Sequence, residues 1–222
     1  MSRVSIIIPA YNEEENIGAT VKSLRGLEEA WEIIVVDDGS RDLTAERARE
    51  AGARVIRLPV NRGKGGAMEE GLKQASHPVI AFLDADLGET AAEIKKIISP
   101  VLSGEADLAV ARWPGSRKKG GIGLAQGLAR WGIKKLTGFH CHSPLSGQRA
   151  LRKGLIPELE GGFGVEVGMT VDCLRKGAQM MEVSVKMRHR ETGRDVRGAR
   201  HRGGQFVSVL KVLAKRFFAP WK

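Results

Sequence analysis

Residues 4–40 read VSIIIPAYNEEENIGATVKSLRGLEEAWEIIVVDDGS. An Ile/Val run, an amphipathic stretch near Glu14–Leu24 and a second Ile/Val run follow one another within it. Neither run alternates with polar residues, which is the pattern of strands buried on both faces, so the unit reads as strand, helix, parallel strand. The rhythm continues downstream. Strands are expected at Val4–Pro9, Glu32–Asp37, Arg54–Leu58, Val79–Asp84 and Leu108–Ala111, with further helices near Thr44–Ala51, Lys64–Gln74 and Ala91–Leu102. Such alternation predicts an α/β domain whose mainly parallel sheet carries helices on both faces.

Past residue 110 the pattern loosens. Trp113–Gly123 has the Gly/Pro/Lys content of a loop, and Leu124–Leu136 has helical spacing. Short strands are expected at Ser146–Leu151 and Met180–Val185 around a helix at Val167–Arg175. Arg188–Gly204 reads as an arginine-rich polar loop, and Gln205–Lys222 as an amphipathic helix. With no repeat or linker in sight, one domain over 1–222 is expected.

Charge divides along the same line. The chain has 222 residues, 36 Lys+Arg and 26 Asp+Glu, a formal charge of +10. Residues 1–110 hold 13 basic and 19 acidic side chains, whereas 111–222 hold 23 and 7. A basic second half points to an anionic partner: phosphate, nucleic acid or a membrane face. No apolar run reaches the roughly 18–20 residues that span a bilayer, and the first residues are not expected to act as a signal peptide. Cys141 and Cys173 make no disulfide framework and are expected buried and inert, so a cytoplasmic setting is expected.

Ligands of open α/β sheets sit at the C-terminal strand ends. There stand Pro9-Ala10-Tyr11-Asn12-Glu13, Asp37-Asp38-Gly39-Ser40 and Asp84-Ala85-Asp86. Each alone has a bland explanation as a strand stop, a turn or a helix cap. All three at one edge point to a site. In an extended Asp84-Ala85-Asp86 both carboxylates face the same way, and hard oxygens there suit Mg²⁺ or Mn²⁺ on a diphosphate. Asn61-Arg62-Gly63-Lys64-Gly65-Gly66 opens a helix whose amides, with Arg62 and Lys64, form an anion site. It lacks the Walker spacing, and no GxGxxG follows the first strand.

PAYNE (9–13), VVDDGSRDLT (35–44), NRGKGGA (61–67) and LDADL (83–87), in that order, resemble the family-2 inverting glycosyltransferases of the Rossmann-like GT-A fold. Within that family the chain is most similar to the dolichyl/polyprenyl-phosphate sugar (mannosyl/glucosyl) synthases. The resemblance implies a nucleotide-sugar-binding half to residue 110 and an acceptor half over 111–204. It places Pro9, Tyr11, Glu13 and Asp38 on the nucleotide of a UDP-, GDP- or dTDP-linked donor. Asp37 would support the turn, and Asp84 and Asp86 become the DxD pair at the metal. Arg112 and Arg130 would meet the acceptor phosphate, Ser146-Gly147-Gln148-Arg149 matches the SG-x-R segment, and Glu166 matches an acid of the following helix. Arg190-Glu191-Thr192-Gly193 resembles a loop whose arginine closes on the diphosphate, and His189 beside it is a candidate for the metal. Two positions depart from the lipid-phosphate enzymes: Gly88 stands where they carry Gln, and Ser143-Pro144-Leu145 where they carry Asp-Pro-Thr.

The acceptor decides the rest of the chemistry. A phosphate acceptor is already ionised and needs cations; a hydroxyl acceptor needs a base, for which Glu166 or Asp172 are candidates. A polyprenyl phosphate or similar anionic acceptor is the leading expectation, and a soluble phosphorylated acid the alternative. A sugar nucleotidyltransferase would carry a Gly-rich basic loop where AYNEEEN stands. A nucleic-acid module would leave Asp38, Asp84 and Asp86 unexplained and lacks interleaved aromatics. Phe206, Leu210, Leu213 and Phe217, with Lys211, Lys215, Arg216 and Lys222, describe a terminal helix that either packs on the domain or docks peripherally on a membrane. His140-Cys141-His142 offers two imidazoles without a second pair, too few for zinc. A homo-oligomer is left open.

Overall fold

The structure, a computed structural model, describes residues 4–27, 31–113, 122–159, 162, 164–188 and 196–218. Seven strands form one sheet: β1 (Val4–Ala10), β2 (Trp31–Asp37), β3 (Arg54–Arg57), β4 (Val79–Phe82), β5 (Leu108–Arg112), β6 (Arg149–Arg152) and β7 (Met180–Ser184). Their order is β3-β2-β1-β4-β6-β5-β7, and every pairing is parallel except the two made by β6. Among the described residues seven α-helices surround them: α1 (Ile17–Arg25), α2 (Thr44–Glu50), α3 (Gly63–Gln74), α4 (Ile94–Ser103), α5 (Ile122–Thr137), α6 (Val165–Arg175) and α7 (Val196–Phe218).

Both sheet faces are covered, as the unbroken Ile/Val runs require. Val4, Ile6 and Ile8 of β1 pack with Ile17, Val21 and Leu24 of α1 and with Ile94, Ile97 and Ile98 of α4. Ile7, Ile34 and Val36 face the other way, against Ala67 and Met68 of α3 and Val165 and Met169 of α6. Helix α3 approaches closely at Gly71, where a Cβ would lie 2.4 Å from Ile7 Cγ2. A third cluster joins α5, α6 and α7 through Ala129, Ile133, Val167, Val171, Val209 and Leu213.

Three of the boundaries that differ from expectation bear on the site. Strand β4 stops at Phe82 rather than Asp84, so the acidic motif follows the ladder instead of ending it. Strand β6 starts at Arg149 rather than Ser146 and runs antiparallel between β4 and β5. An antiparallel strand begins at the edge where its parallel neighbours end, so Ser146-Gly147-Gln148 arrive beside Asp84. The stretch expected as a polar loop over 188–204 is helical from Val196. Its arginines and glycines carry no apolar period; the helix is instead extended from the part that docks on α5 and α6.

Candidate active site

The loops after β1 and β2 are laced together. Asn12, in the left-handed region at φ 55°, donates its N–H to Ser40 Oγ at 2.9 Å and accepts Arg41 N–H on Oδ1 at 3.0 Å. Glu13 N–H reaches Thr44 Oγ1 at 2.8 Å, while its carboxylate takes Asn16 Nδ2 at 3.0 Å. Pro9 stays in β1 opposite Val36, and Tyr11 is left 45% exposed. Asp37 braces the turn, accepting Ser40 N–H at 3.0 Å and lying 3.2 Å from Arg57 Nε. Buried Asp38 accepts the Arg62 N–H at 2.7 Å and so ties the β2 loop to the start of α3. Burial raises its carboxyl above the usual range and outweighs the amides of Arg62 and Gly63, which lower it.

At the centre, Lys64 on the first turn of α3 lies between two carboxylates. Its Nζ is 2.8 Å from Asp84 Oδ1 and 2.8 Å from Glu166 Oε1. Burial alone would lower this ammonium, but Asp84 and then Glu166 hold it above its ordinary value. Asp84 Oδ2 accepts Gln148 Nε2. Gly147 leaves room for this group: a Cβ would lie 2.6 Å from Lys64 Nζ and 2.9 Å from both Asp84 oxygens, so the paired side-chain ends would have to shift. Fully buried Arg149 supports the group from below, donating to Glu166 O at 3.0 Å, to Thr170 Oγ1 at 3.3 Å and to Ser146 O. Asp84, Lys64 and Glu166 thus meet from the loop after β4, from α3 and from α6.

Both Asp84 oxygens therefore have protein partners, and the direct metal contact expected of Asp84 has to compete with Lys64. Half-buried Asp86 is the motif's other carboxylate. Among the described residues no three His, Cys, Asp or Glu side chains gather around one point. That donor set still fits Mg²⁺ or Mn²⁺, which take one or two carboxylates and complete their shell with phosphate and water. His189 and Arg190 lie outside the described residues, as do Arg117, Lys118 and Lys119.

Several positioning residues were not singled out from sequence. Thr20, buried on α1, donates to Ala85 O at 2.8 Å and accepts Gly88 N–H at 2.9 Å, clamping the acidic loop from both sides. A threonine within the apolar stripe of Ile17, Val21 and Leu24 was the available signal. Thr90 Oγ1 accepts Arg188 N–H at 3.1 Å, and Trp113 Nε1 donates to Met187 O at 2.9 Å, so the chain leaving β7 passes the same loop.

Of the acceptor-side candidates, Arg112 ends β5 exposed at this edge. Arg130 binds the His142 carbonyl through Nε at 3.1 Å and Nη2 at 2.6 Å. Glu182 takes the amides of His142 and Ser143, so the turn before Ser146 is clamped from α5 and β7. Asp172 faces Arg216 of α7 in a forked ion pair, with Nε–Oδ1 at 2.8 Å and Nη2 on Oδ2. Burial pushes the Cys141 and Cys173 thiols up to about 12 and about 11, which leaves them unreactive at neutral pH.

Residues 5–149 match the model for glycosyl transferase family 2. An uncharacterized protein of Methanocaldococcus jannaschii is 30% identical over 96% of this chain and 90% of its own length. Dolichol-phosphate mannosyltransferase of Pyrococcus furiosus is 33% identical over 82% of this chain, which spans 55% of that enzyme. Glucosyl-3-phosphoglycerate synthase from Mycobacterium tuberculosis, crystallised with Mn²⁺, UDP and phosphoglyceric acid, superposes with a TM-score of 0.82 at 28% identity, covering 100% of this chain and 80% of that one. The sheet is that of the GT-A fold, and the chain belongs to glycosyl transferase family 2.

Proposed function

We propose that this family 2 glycosyltransferase moves a sugar, with inversion, from a nucleotide diphosphate to an acceptor that is itself a phosphate, a polyprenyl phosphate or similar anionic lipid. One observation carries the choice of acceptor. Both carboxylates that could take a proton from a hydroxyl are already ion-paired, Glu166 with Lys64 and Asp172 with Arg216. A phosphate monoester is largely ionised at pH 7 and needs no base. Exposed Arg112 at the end of β5 supplies a cation at the same edge.

The donor reading rests on the strand-end acids and on the relative crystallised with UDP and Mn²⁺. Asp86 and the diphosphate oxygens would hold Mg²⁺ or Mn²⁺, which would supply charge neutralisation for the leaving diphosphate. Lys64, kept protonated by Asp84 and Glu166, adds a fixed positive charge there. A lipid acceptor is supported by the outer surface of α5 and α7. Trp131 is 57% exposed and Phe218 88%, Phe206 and Leu210 are also open, and exposed Lys134, Lys211 and Lys215 accompany them. Apolar groups mixed with lysines suit peripheral contact with an anionic lipid face. No helix among the described residues is long and apolar enough to cross a membrane.

A second reading, a soluble phosphorylated acid as acceptor, is favoured by the whole-chain superposition on the synthase bound to phosphoglyceric acid. One panel separates them: UDP-, GDP- and dTDP-sugars with Mn²⁺, offered a short polyprenyl phosphate or phosphoglyceric acid. Sugar on the lipid phosphate is expected, and Arg112→Ala should raise the acceptor KM while sparing nucleotide binding. Transfer to phosphoglyceric acid alone would replace the first reading with the second.

A further inference from the structure

In the central group Gln148 is fully buried and only half satisfied; Arg149 beside it also has an unpartnered nitrogen, Nε, but makes three other hydrogen bonds. Its Nε2 donates to Asp84 Oδ2, while Oε1 is buried with no hydrogen-bond partner among the described residues. Chemistry fixes which end is which. Asp84 is ion-paired to Lys64 and therefore accepts only, so the amide nitrogen must face it and the carbonyl must be the unpaired end. A buried acceptor without a partner destabilises the fold, and an apolar side chain of the same shape avoids that penalty. Packing alone therefore does not account for a glutamine here.

Its backbone shows what the amide is for. Gln148 O accepts Ala111 N–H at 2.9 Å, so the residue is held by β5 through a sheet hydrogen bond rather than carried on a free loop. From that fixed point the amide reaches one oxygen of Asp84 while Lys64 takes the other. Two contacts, on Oδ1 and Oδ2, set the plane of the carboxylate. Removing Gln148 takes this donor from Oδ2 and leaves the Oδ1 contact to Lys64, which Glu166 also holds.

We propose that Gln148 is a positioning residue that locks the Asp84 carboxylate, and through it Lys64, in the orientation the transfer step uses, at a cost to stability. This deepens the family 2 reading and rests on it for the reaction, though not for the geometry. Outer contacts of this kind carry about 10- to 100-fold in activity when removed.

The test replaces Gln148 in the full chain by Met, which keeps reach and volume without donor or acceptor, and by Asn, which keeps the amide but falls a methylene short. Melting temperature, a crystal structure of Gln148→Met, and kcat/KM with the nucleotide sugar that the wild-type chain turns over are measured. Gln148→Met should melt at or above the wild-type temperature, show Asp84 rotated away from its place on Lys64, and lose about 10- to 100-fold in kcat/KM. Gln148→Asn should lose activity similarly. A Gln148→Met chain that fails to fold or melts several degrees lower overturns the proposal, because the residue is then held for stability. Wild-type turnover in either variant, or an unmoved Asp84, overturns it as well. If the wild-type chain turns over no nucleotide sugar, the proposed function fails, and the melting and crystallographic results still decide the case for Gln148.

Discussion

Replacing Arg216 with Met removes a guanidinium whose side chain is only 8% exposed and which forks onto an Asp172 carboxylate 23% exposed. The same group also donates to Val212 O at 3.2 Å. Breaking a buried pair by deleting one partner costs about 3–5 kcal/mol, because a charge is left without compensation. Asp172 keeps enough exposure to rehydrate in part, so about 2–3 kcal/mol is expected here. At a urea m-value of about 2.5 kcal/mol/M, that lowers the midpoint by about 1 M. Asp172→Asn should move it in the same direction. The double variant Asp172→Leu/Arg216→Met should recover most of the loss, so the coupling in the cycle should be at least as large as either single-variant loss. Turnover supplies the second half of the test. Asp172 serves α7 and not the strand ends, so folded Asp172→Asn should keep its kcat. A midpoint that does not move would refute the ion-pair argument. A hundredfold fall in kcat with the midpoint unchanged would make Asp172 the base and remove the support for a phosphate acceptor.

Asp86→Asn should abolish Mn²⁺-dependent nucleotide binding in calorimetry while leaving the melting temperature near wild type; normal binding would put the metal elsewhere. Gly147→Ala drives a methyl into Lys64 and Asp84, and an overpacking penalty of about 1–3 kcal/mol with clear loss of turnover is expected from melting and kinetics. Glu32 gives a pH prediction. Burial would raise its carboxyl, but donors from Ser5 at 2.6 Å and the Ser76 amide at 2.9 Å, with His77 nearby, hold it below the usual range. Its folded value is the lower one, so its stabilisation is complete above the unfolded value of about 4.3 and is lost as pH falls through the folded value. Glu32→Gln should therefore flatten the acid limb of stability against pH below about 4.5, and an unchanged limb would count against the network.

Much of the site was legible because it is local. Asp84 and Asp86 end an apolar run, Asp38 ends another, and Gly63-Lys64 open a helix, so each could be assigned to the same sheet edge from spacing alone. Glu166 and Arg112 were found through resemblance. What stayed hidden was pairing across distance. Nothing in a linear reading says that Lys64 lies between Asp84 and Glu166, that Thr20 holds the acidic loop, or that Arg130 grips a carbonyl. Arg149 shows the same limit: the SG-x-R resemblance singles it out, but nothing in the linear order says that it is fully buried under the site.

The order of βα units, the double-sided burial of the sheet and the edge on which the acids collect all follow from hydrophobic period and turn chemistry, which act over a few residues and can be read from one chain. The antiparallel entry of β6 between β4 and β5, the shared ammonium and the half-satisfied Gln148 do not. They arise only when elements distant along the chain are packed together, and there burial makes each charge and each amide depend on whichever partner the fold brings within hydrogen-bond reach.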